Sequence, residues 1–168
     1  ALKQAVLIGL LKSNPADNAK LPKLKKPELK PLMDEDVSNF LKAIKGHRYE
    51  YAYLVDLFTG LRQSELLGLK WEDIDFEHAN LRMKRQIARI NGEVVEAPLK
   101  TKNAYRTLPL AEDTIQVLKQ QKKKVGSNPG VFPSPTGGPI SPDSVLHMLH
   151  RVRKRAGLPR VRFHDLRH

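Results

Sequence analysis

The 168-residue sequence contains no cysteine, and aromatic residues make up only 6% of it. Without cysteine the chain can form neither disulfides nor thiolate metal sites, which is compatible with a cytoplasmic location. No run of about eighteen apolar residues occurs, so the sequence predicts no membrane-spanning helix. The apolar start, residues 1–11, carries Lys3 and Gln4 and lacks a basic leader, so we do not expect a signal peptide there.

Acidic residues are scarce relative to basic ones. The chain has 30 Lys and Arg against 18 Asp and Glu, a formal net charge of +12. A charge of this size favours a polyanion as partner, and nucleic acid is the commonest. An anionic membrane is the alternative, but a helix at a membrane surface should carry aromatic residues opposite its basic face, and the sequence shows none. We therefore expect a nucleic-acid partner and no membrane.

The sequence divides into three parts by composition. Residues 1–14 read as the end of an amphipathic helix over 2–11, stopped at Asn14-Pro15, and we expect them to close a preceding DNA-binding domain. Residues 15–32 include KLPKLKKPELKP, with three prolines and five lysines, which is typical of a basic linker. Such a linker could lie along phosphates or act only as a soluble spacer. Residues 33–168 are expected to form the main domain.

Hydrophobic periodicity in the main domain predicts a mixed α+β fold that is mainly helical. Asp34 is expected to cap its first helix and Gly46 to end it. Apolar residues at helical spacing predict five helices, over 34–45, 49–58, 61–69, 111–125 and 143–156. Alternating residues predict three strands, over 80–90, 93–99 and 105–110. Because Asn91-Gly92 is a strong hairpin signal, we expect a small three-stranded antiparallel sheet.

The last predicted helix has two distinct faces. One carries an apolar stripe of Val145, Met148, Leu149, Val152 and Ala156. The other carries basic residues, His147, His150, Arg151, Lys154 and Arg155. A basic face on a core-anchored helix suits the major groove of duplex DNA, which admits a helix. The alternative is an ordinary solvated outer face.

A first candidate site lies in TGLRQSELLGL, residues 59–69. Arg62 and Glu65 are three residues apart at the start of a predicted helix, so the carboxylate can hold the guanidinium. A guanidinium held in this way can grip a phosphate with two hydrogen bonds. The alternative is a surface ion pair, which contributes little to stability.

A second candidate site is the turn LKTKNAYR, residues 99–106, which precedes the last predicted strand. Lys100 at the tip of a turn can reach a ligand, and its ammonium group can act as a general acid. Lys102 is the alternative acid, because the register of the turn is not fixed by the sequence. Lysines at such tips also serve solubility alone.

A third candidate site is FHDLRH, residues 163–168. His164 and Arg167 would present an imidazole and a guanidinium on one helix face, one to move protons and one to hold an anion. A zinc site built on His164 and His168, with His147 and His150, is the alternative. The metalloprotease pattern and cysteine ligands are both missing, so we expect no metal and no cofactor.

Together and in this order, the three sites resemble the catalytic domain of the tyrosine recombinase (phage integrase) family. TGLRQSELLGLKW resembles the box of the first catalytic arginine, Lys100 before YRTLPL the hairpin lysine, and FHDLRH the His-x-x-Arg box. The opening LKQAVLIGLLKSNPA resembles the end of the family's N-terminal DNA-clamping domain. The resemblance covers nearly the whole chain and points to integrases of phages and conjugative transposons.

The resemblance implies DNA strand exchange through a 3′-phosphotyrosyl intermediate, without metal or ATP. Arg62 and Arg167 would bind the non-bridging phosphate oxygens, and Lys100 would protonate the leaving 5′-oxygen. His164 would help to move the tyrosyl proton or donate a hydrogen bond to the phosphate, and Glu65 would support Arg62.

The same resemblance implies double-stranded DNA as partner and self-assembly on it as a dimer to tetramer. The expected DNA contacts are Lys102, His147, Arg151, Lys154 and Arg155.

The family's nucleophilic tyrosine, and a further active-site His or Trp, follow the His-x-x-Arg box. Here every tyrosine precedes that box, namely Tyr49, Tyr51, Tyr53 and Tyr105. We therefore expect these 168 residues alone to be inactive, with the nucleophile beyond them. Two alternatives remain, a type IB topoisomerase and a non-catalytic DNA-binding module of the same fold.

Overall fold

The structure is a computed structural model that describes residues 1–19 and 33–158. The chain divides into two compact units, Ala1–Lys30 and Pro31–His168. Most of the predicted basic linker and the whole FHDLRH segment lie outside the described residues. No helix within the described ranges is long and apolar enough to cross a membrane.

The first unit contains one short helix, α1 (Leu2–Leu7). The predicted extension of this helix to Leu11 is wrong. Gly9 has a φ of +77°, a left-handed conformation that ends the helix and that glycine adopts without steric cost.

The second unit confirms the five predicted helices, with small shifts at their ends. They are α2 (Asp34–Ile44), α3 (Glu50–Thr59), α4 (Gln63–Leu67), α5 (Glu112–Val125) and α6 (Pro142–Arg155). The assignment of Asp34 as the N-cap is wrong, since Met33 occupies that position and its N–H donates to Asp36 Oδ2 at 3.2 Å. Helix α6 has Ser141 at its N-cap position and Pro142 in its first turn, where a proline leaves no helical hydrogen bond unmade.

The strands form two small antiparallel sheets, so the mixed, mainly helical α+β class is confirmed. Their bounds are β1 (Ile74–Asp75), β2 (Asn80–Arg82), β3 (Arg85–Ile90), β4 (Glu93–Pro98) and β5 (Thr107–Pro109). The three-stranded sheet has the order β1-β2-β5, and β3 pairs with β4 as a separate hairpin.

The prediction of one strand over 80–90 is wrong, because that segment divides between the two sheets around Met83-Lys84. The last strand pairs with the first half, with Arg82 opposite Thr107, rather than with the hairpin. The predicted hairpin itself is confirmed, since Ile90 pairs with Glu93 across Asn91-Gly92. Both turn residues have positive φ, as a type I′ turn requires.

The core of the second unit is built from residues of the helices, of both sheets and of the connecting loops. Tyr53, Leu66, Leu81, Leu118 and Val145 are fully buried there. The Tyr53 hydroxyl donates to the carbonyl of Val145 at 3.1 Å, which ties α3 to α6. Burial of each large apolar side chain contributes roughly 1.5–3 kcal/mol relative to leaving it exposed.

The end of α4 packs directly on the backbone of β3. At Gly68 a Cβ atom would lie 3.0 Å from the Cα of Gln86, so only glycine fits without a shift. At the start of α4, Gln63 Nε2 donates to the carbonyl of Pro142 at 2.7 Å. These two contacts fix α4 against both the hairpin and α6, and thereby fix the residue that precedes α4, Arg62.

Candidate active site

Arg62 stands at the N-cap of α4 in an extended conformation. Its Nη1 donates to Glu65 Oε1 at 2.9 Å, and its backbone N–H lies 3.2 Å from Glu65 Oε2. The Glu65 side chain is 2% exposed, whereas that of Arg62 is 62% exposed. The pair is therefore more than a surface ion pair, because a buried carboxylate anchors one edge of a guanidinium that is otherwise open to solvent.

Arg106 also binds Glu65, a contact that the sequence reasoning missed. Its Nη2 donates to Glu65 Oε2 at 2.8 Å and its Nη1 lies 3.3 Å from Oε1. Alternation in the last strand could have indicated that Arg106 lies on the inward face, which it shares with Leu108 and Leu110, but not which carboxylate it meets. An arginine on the inward face of a strand needs a carboxylate, and Glu65 supplies it.

The charges of Glu65, Arg62 and Arg106, here called the Glu65 cluster, do not cancel. Burial alone raises the pKa of the Glu65 carboxyl, but hydrogen bonds from Arg106 and then Arg62 outweigh burial and leave that pKa below its ordinary value. One carboxylate therefore stays ionised between two guanidinium groups, and the cluster keeps one net positive charge.

The Glu65 cluster borders an open recess of about 280 Å³. Its lining comprises Arg62, Ser64, Glu65, Gln86, Leu99, Lys100, Thr101 and Ala104. Leu99 is buried and anchors the chain just before the exposed Lys100. Lys102 begins a short 3-10 helix, Lys102–Ala104, and is not among the residues that line the recess. The structure thus brings Arg62, Glu65 and Lys100 together at one cavity.

The other predicted site residues fall into two groups. The basic residues predicted on the outer face of α6 are exposed, namely His147, His150, Arg151, Lys154 and Arg155. The apolar stripe behind them is buried at Val145, Leu149 and Val152. His164 and Arg167 lie outside the described residues, so the contacts expected of them stay predictions. Within residues 1–19 and 33–158, no group of three or more His, Cys, Asp or Glu side chains is arranged to hold a metal ion.

Comparison with known proteins identifies the family to which the chain belongs. A family model described as the phage integrase family matches residues 24–168. The chain belongs to this family. A tyrosine recombinase XerC-like protein of Caldanaerobacter subterraneus subsp. tengcongensis is 35% identical to the integrase chain over 193 residues. That alignment covers 98% of the chain but 49% of the relative, so the chain spans about half the length of this curated relative.

Solved structures place the integrase chain in the same fold. The Tn1549 transposon integrase, in complex with transposon right end DNA, superposes with a TM-score of 0.86 at 25% identity, over 99% of this chain and 60% of that one. A lambda integrase tetramer bound to a Holliday junction gives a TM-score of 0.68 at 21% identity, over 98% of this chain and 47% of that one. The expected tyrosine recombinase catalytic fold is therefore confirmed.

Proposed function

We propose that this chain supplies part of the active site of a site-specific DNA recombinase that acts through a 3′-phosphotyrosyl intermediate. The observation that carries the proposal is the recess in which Arg62, anchored on buried Glu65, and Lys100 both face solvent. The net positive charge of the Glu65 cluster, together with the ammonium group of Lys100 as a candidate proton donor, suits a phosphate diester. Membership of the integrase family favours duplex DNA as the source of that phosphate.

In the proposed reaction, a tyrosine oxygen attacks the scissile phosphorus and the bond to the 5′-oxygen breaks. Lys100 gives its proton to that leaving oxygen, while the tyrosyl proton leaves with the help of His164. Arg62 and Arg167 hold the non-bridging oxygens, each contributing about 3 kcal/mol to transition-state stabilisation, as one oxyanion donor does. The 5′-hydroxyl of another strand then reverses the step, so the phosphoester energy is kept in the covalent link.

The described tyrosines do not suit the attacking role. Tyr53 is buried and its hydroxyl donates to a carbonyl, and Tyr49 and Tyr51 are partly buried in the same helical region. Tyr105 is half exposed, but it is not among the residues that line the recess. We therefore place the nucleophile outside these 168 residues and expect them to be inactive by themselves.

The DNA footprint in this proposal extends well beyond the recess. The exposed basic face of α6 and Lys102 would contact the duplex, and the lysine-rich segment 20–30 would lie between a preceding DNA-binding domain and the catalytic domain. Assembly as a dimer to tetramer on DNA, in the cytoplasm, follows from the same proposal. Relaxation of supercoils by a topoisomerase is less favoured, since the matched proteins are named recombinases and integrases.

Trapping of the covalent intermediate tests the proposal. A longer protein that contains this chain is mixed with duplex DNA nicked near the scissile phosphate, so that strand loss prevents religation. We expect a protein–DNA adduct with the wild type, and a loss of about 10²–10³-fold in its rate of formation with Arg62→Ala, as for removal of one oxyanion donor. DNA affinity should be mostly kept, because many other contacts reach phosphates. Adduct formation at the wild-type rate by Arg62→Ala would contradict the assignment.

A further inference from the structure

Arg106 contacts two separate parts of the candidate active site. Its guanidinium donates to both carboxylate oxygens of Glu65 in α4, and its Nη1 also donates to the carbonyl of Ala104 at 3.1 Å. The backbone of Arg106 is fixed as well, because its carbonyl accepts the N–H of Met83 at 2.8 Å. The side chain is only 29% exposed. Arg106 is therefore a rigid link between the sheet, the start of α4 and the lysine turn.

The first consequence concerns charge. Arg62 and Glu65 alone would form a neutral pair, and a neutral pair attracts an incoming phosphate weakly. Arg106 neutralises the Glu65 carboxylate, so the charge of Arg62 remains available to an anion in the recess. Arg106 donates to both carboxylate oxygens of Glu65, whereas the side chain of Arg62 donates to one of them.

The second consequence concerns distance. Ala104 ends the 3-10 helix Lys102–Ala104, and Lys100 and Thr101 lead into that helix along the wall of the recess. The hydrogen bond from Arg106 to Ala104 ties this turn to the carboxylate that holds Arg62. Arg62 and Lys100 must act on the same phosphate in the proposed reaction, and a misplacement of about 1 Å in such a site can lower a rate by about 10²-fold.

We infer that Arg106 is a positioning residue, which holds Glu65 so that Arg62 keeps its charge for the scissile phosphate and which fixes the lysine turn at its working distance from Arg62. The inference rests on the proposed function and deepens it. Arg106 itself is not expected to touch the phosphate, because its two terminal nitrogens donate to Glu65 and Ala104 and it is not among the residues that line the recess.

The test uses the longer protein and three versions of the nicked duplex. One carries the ordinary scissile phosphate and one a methylphosphonate, in which a methyl group replaces a charged non-bridging oxygen. The third carries a bridging 5′-phosphorothiolate, whose sulfur leaves without protonation. The methylphosphonate duplex reports how far the reaction depends on positive charge at the recess. The phosphorothiolate duplex reports how far it depends on a correctly placed proton donor.

We expect Arg106→Gln to form adduct about 10–10²-fold more slowly than wild type on ordinary DNA, as for a modest misplacement of catalytic groups. Its defect should shrink on both modified duplexes. Arg106→Lys keeps the charge but loses the forked contact with Glu65 and Ala104. Its defect should be smaller than that of Arg106→Gln, and should shrink on the phosphorothiolate but not on the methylphosphonate.

The control variant is Arg82→Gln, which removes an exposed arginine opposite Thr107 on the neighbouring strand. It should match wild type at saturating DNA, and circular dichroism should show all variants folded at the assay temperature. A wild-type rate for Arg106→Gln, or one equal defect on all three duplexes, would overturn the inference. If the wild type itself formed no adduct on any duplex, the proposed function would fail instead, so the two failures are distinguishable.

Discussion

Glu65 and Asp73 are two buried carboxylates that each lie between two basic side chains, and their surroundings differ in charge and in access. Asp73 accepts hydrogen bonds from Arg85 and from the backbone N–H of Lys70, and Lys84 Nζ lies 3.3 Å from its Oδ1. Arg85 also pairs with Glu72 at 2.6 Å. We call this group of Glu72, Asp73, Lys84 and Arg85 the Asp73 cluster.

The Asp73 cluster has two carboxylates for two cations, so it carries no net charge. Its arginine is 16% exposed, against 62% for Arg62 in the Glu65 cluster. Both terminal nitrogens of Arg85 donate to carboxylates of the protein, Nη1 to Asp73 and Nη2 to Glu72. The Asp73 cluster therefore joins the short helix Trp71–Asp73 to the start of β3, and it leaves little for a ligand.

The comparison teaches that an arginine beside a buried carboxylate does not by itself indicate a binding site. What distinguishes the Glu65 cluster is an excess of positive charge together with a guanidinium edge that remains open. Buried ion pairs shift pKa values in purely structural networks as well as in active sites. Both the excess of positive charge and the open guanidinium edge are therefore needed to indicate a binding site.

The largest effect is expected for a change at Lys100, which lines the recess that the Glu65 cluster borders. A general acid contributes typically 10²–10⁴-fold to a rate, so Lys100→Ala should slow adduct formation by about that factor on ordinary DNA. A 5′-phosphorothiolate should restore most of the rate, because sulfur leaves without a proton. Rates of adduct formation on the two substrates measure this.

Lys102→Ala is the matched control, since Lys102 lies in the same turn but does not line the recess. It should show a smaller defect and no selective rescue by sulfur. The opposite pattern would assign the acid role to Lys102, and rescue of neither would mean that the turn only positions DNA.

A second prediction concerns the Asp73 cluster, whose charges are paired with one another. Asp73→Ala leaves Lys84 and Arg85 without their buried partner, and loss of one partner of a buried ion pair costs about 3–5 kcal/mol. The free energy of unfolding, measured by urea titration, should fall by that amount. The rate of adduct formation per folded molecule should stay at the wild-type value in the longer protein at low temperature. If the folded Asp73→Ala variant formed no adduct, the Asp73 cluster would also be needed for the reaction. The distinction drawn between the Asp73 cluster and the Glu65 cluster would then be wrong.

Local features of the fold and of the site could be predicted from the sequence. The pairing of Arg62 with Glu65 follows from helical spacing, and the hairpin follows from Asn91-Gly92, because neighbours along the chain determine both. The two faces of α6 likewise follow from a period of 3.6 residues.

Features that depend on distant parts of the chain could not be predicted in the same way. Arg106 is 41 residues from Glu65, and no local period connects them. The chain also leaves one sheet and enters another around Met83-Lys84, although the alternation of residues there favours one continuous strand. Pairing between β2 and β5 is decided by packing across the domain, which an uninterrupted local pattern does not reveal.

The smallest expected effect extends the comparison to cations with no carboxylate partner in the described structure, on the exposed face of α6. Arg151 and Arg155 are exposed and lie off the buried stripe, so Arg151→Ala with Arg155→Ala should leave the unfolding free energy within about 0.5 kcal/mol of wild type. If both contact phosphates, the slope of log K against log[salt] for duplex binding should fall by roughly 0.9 for each lost contact.

Glu112→Ala with Asp113→Ala, which removes two exposed acidic residues from α5, is a control for surface change and should not lower affinity. Fluorescence anisotropy over a range of salt concentrations measures both slopes. An unchanged slope in the arginine variant would show that α6 presents a solvated face, and that the net charge of +12 acts on DNA through other residues.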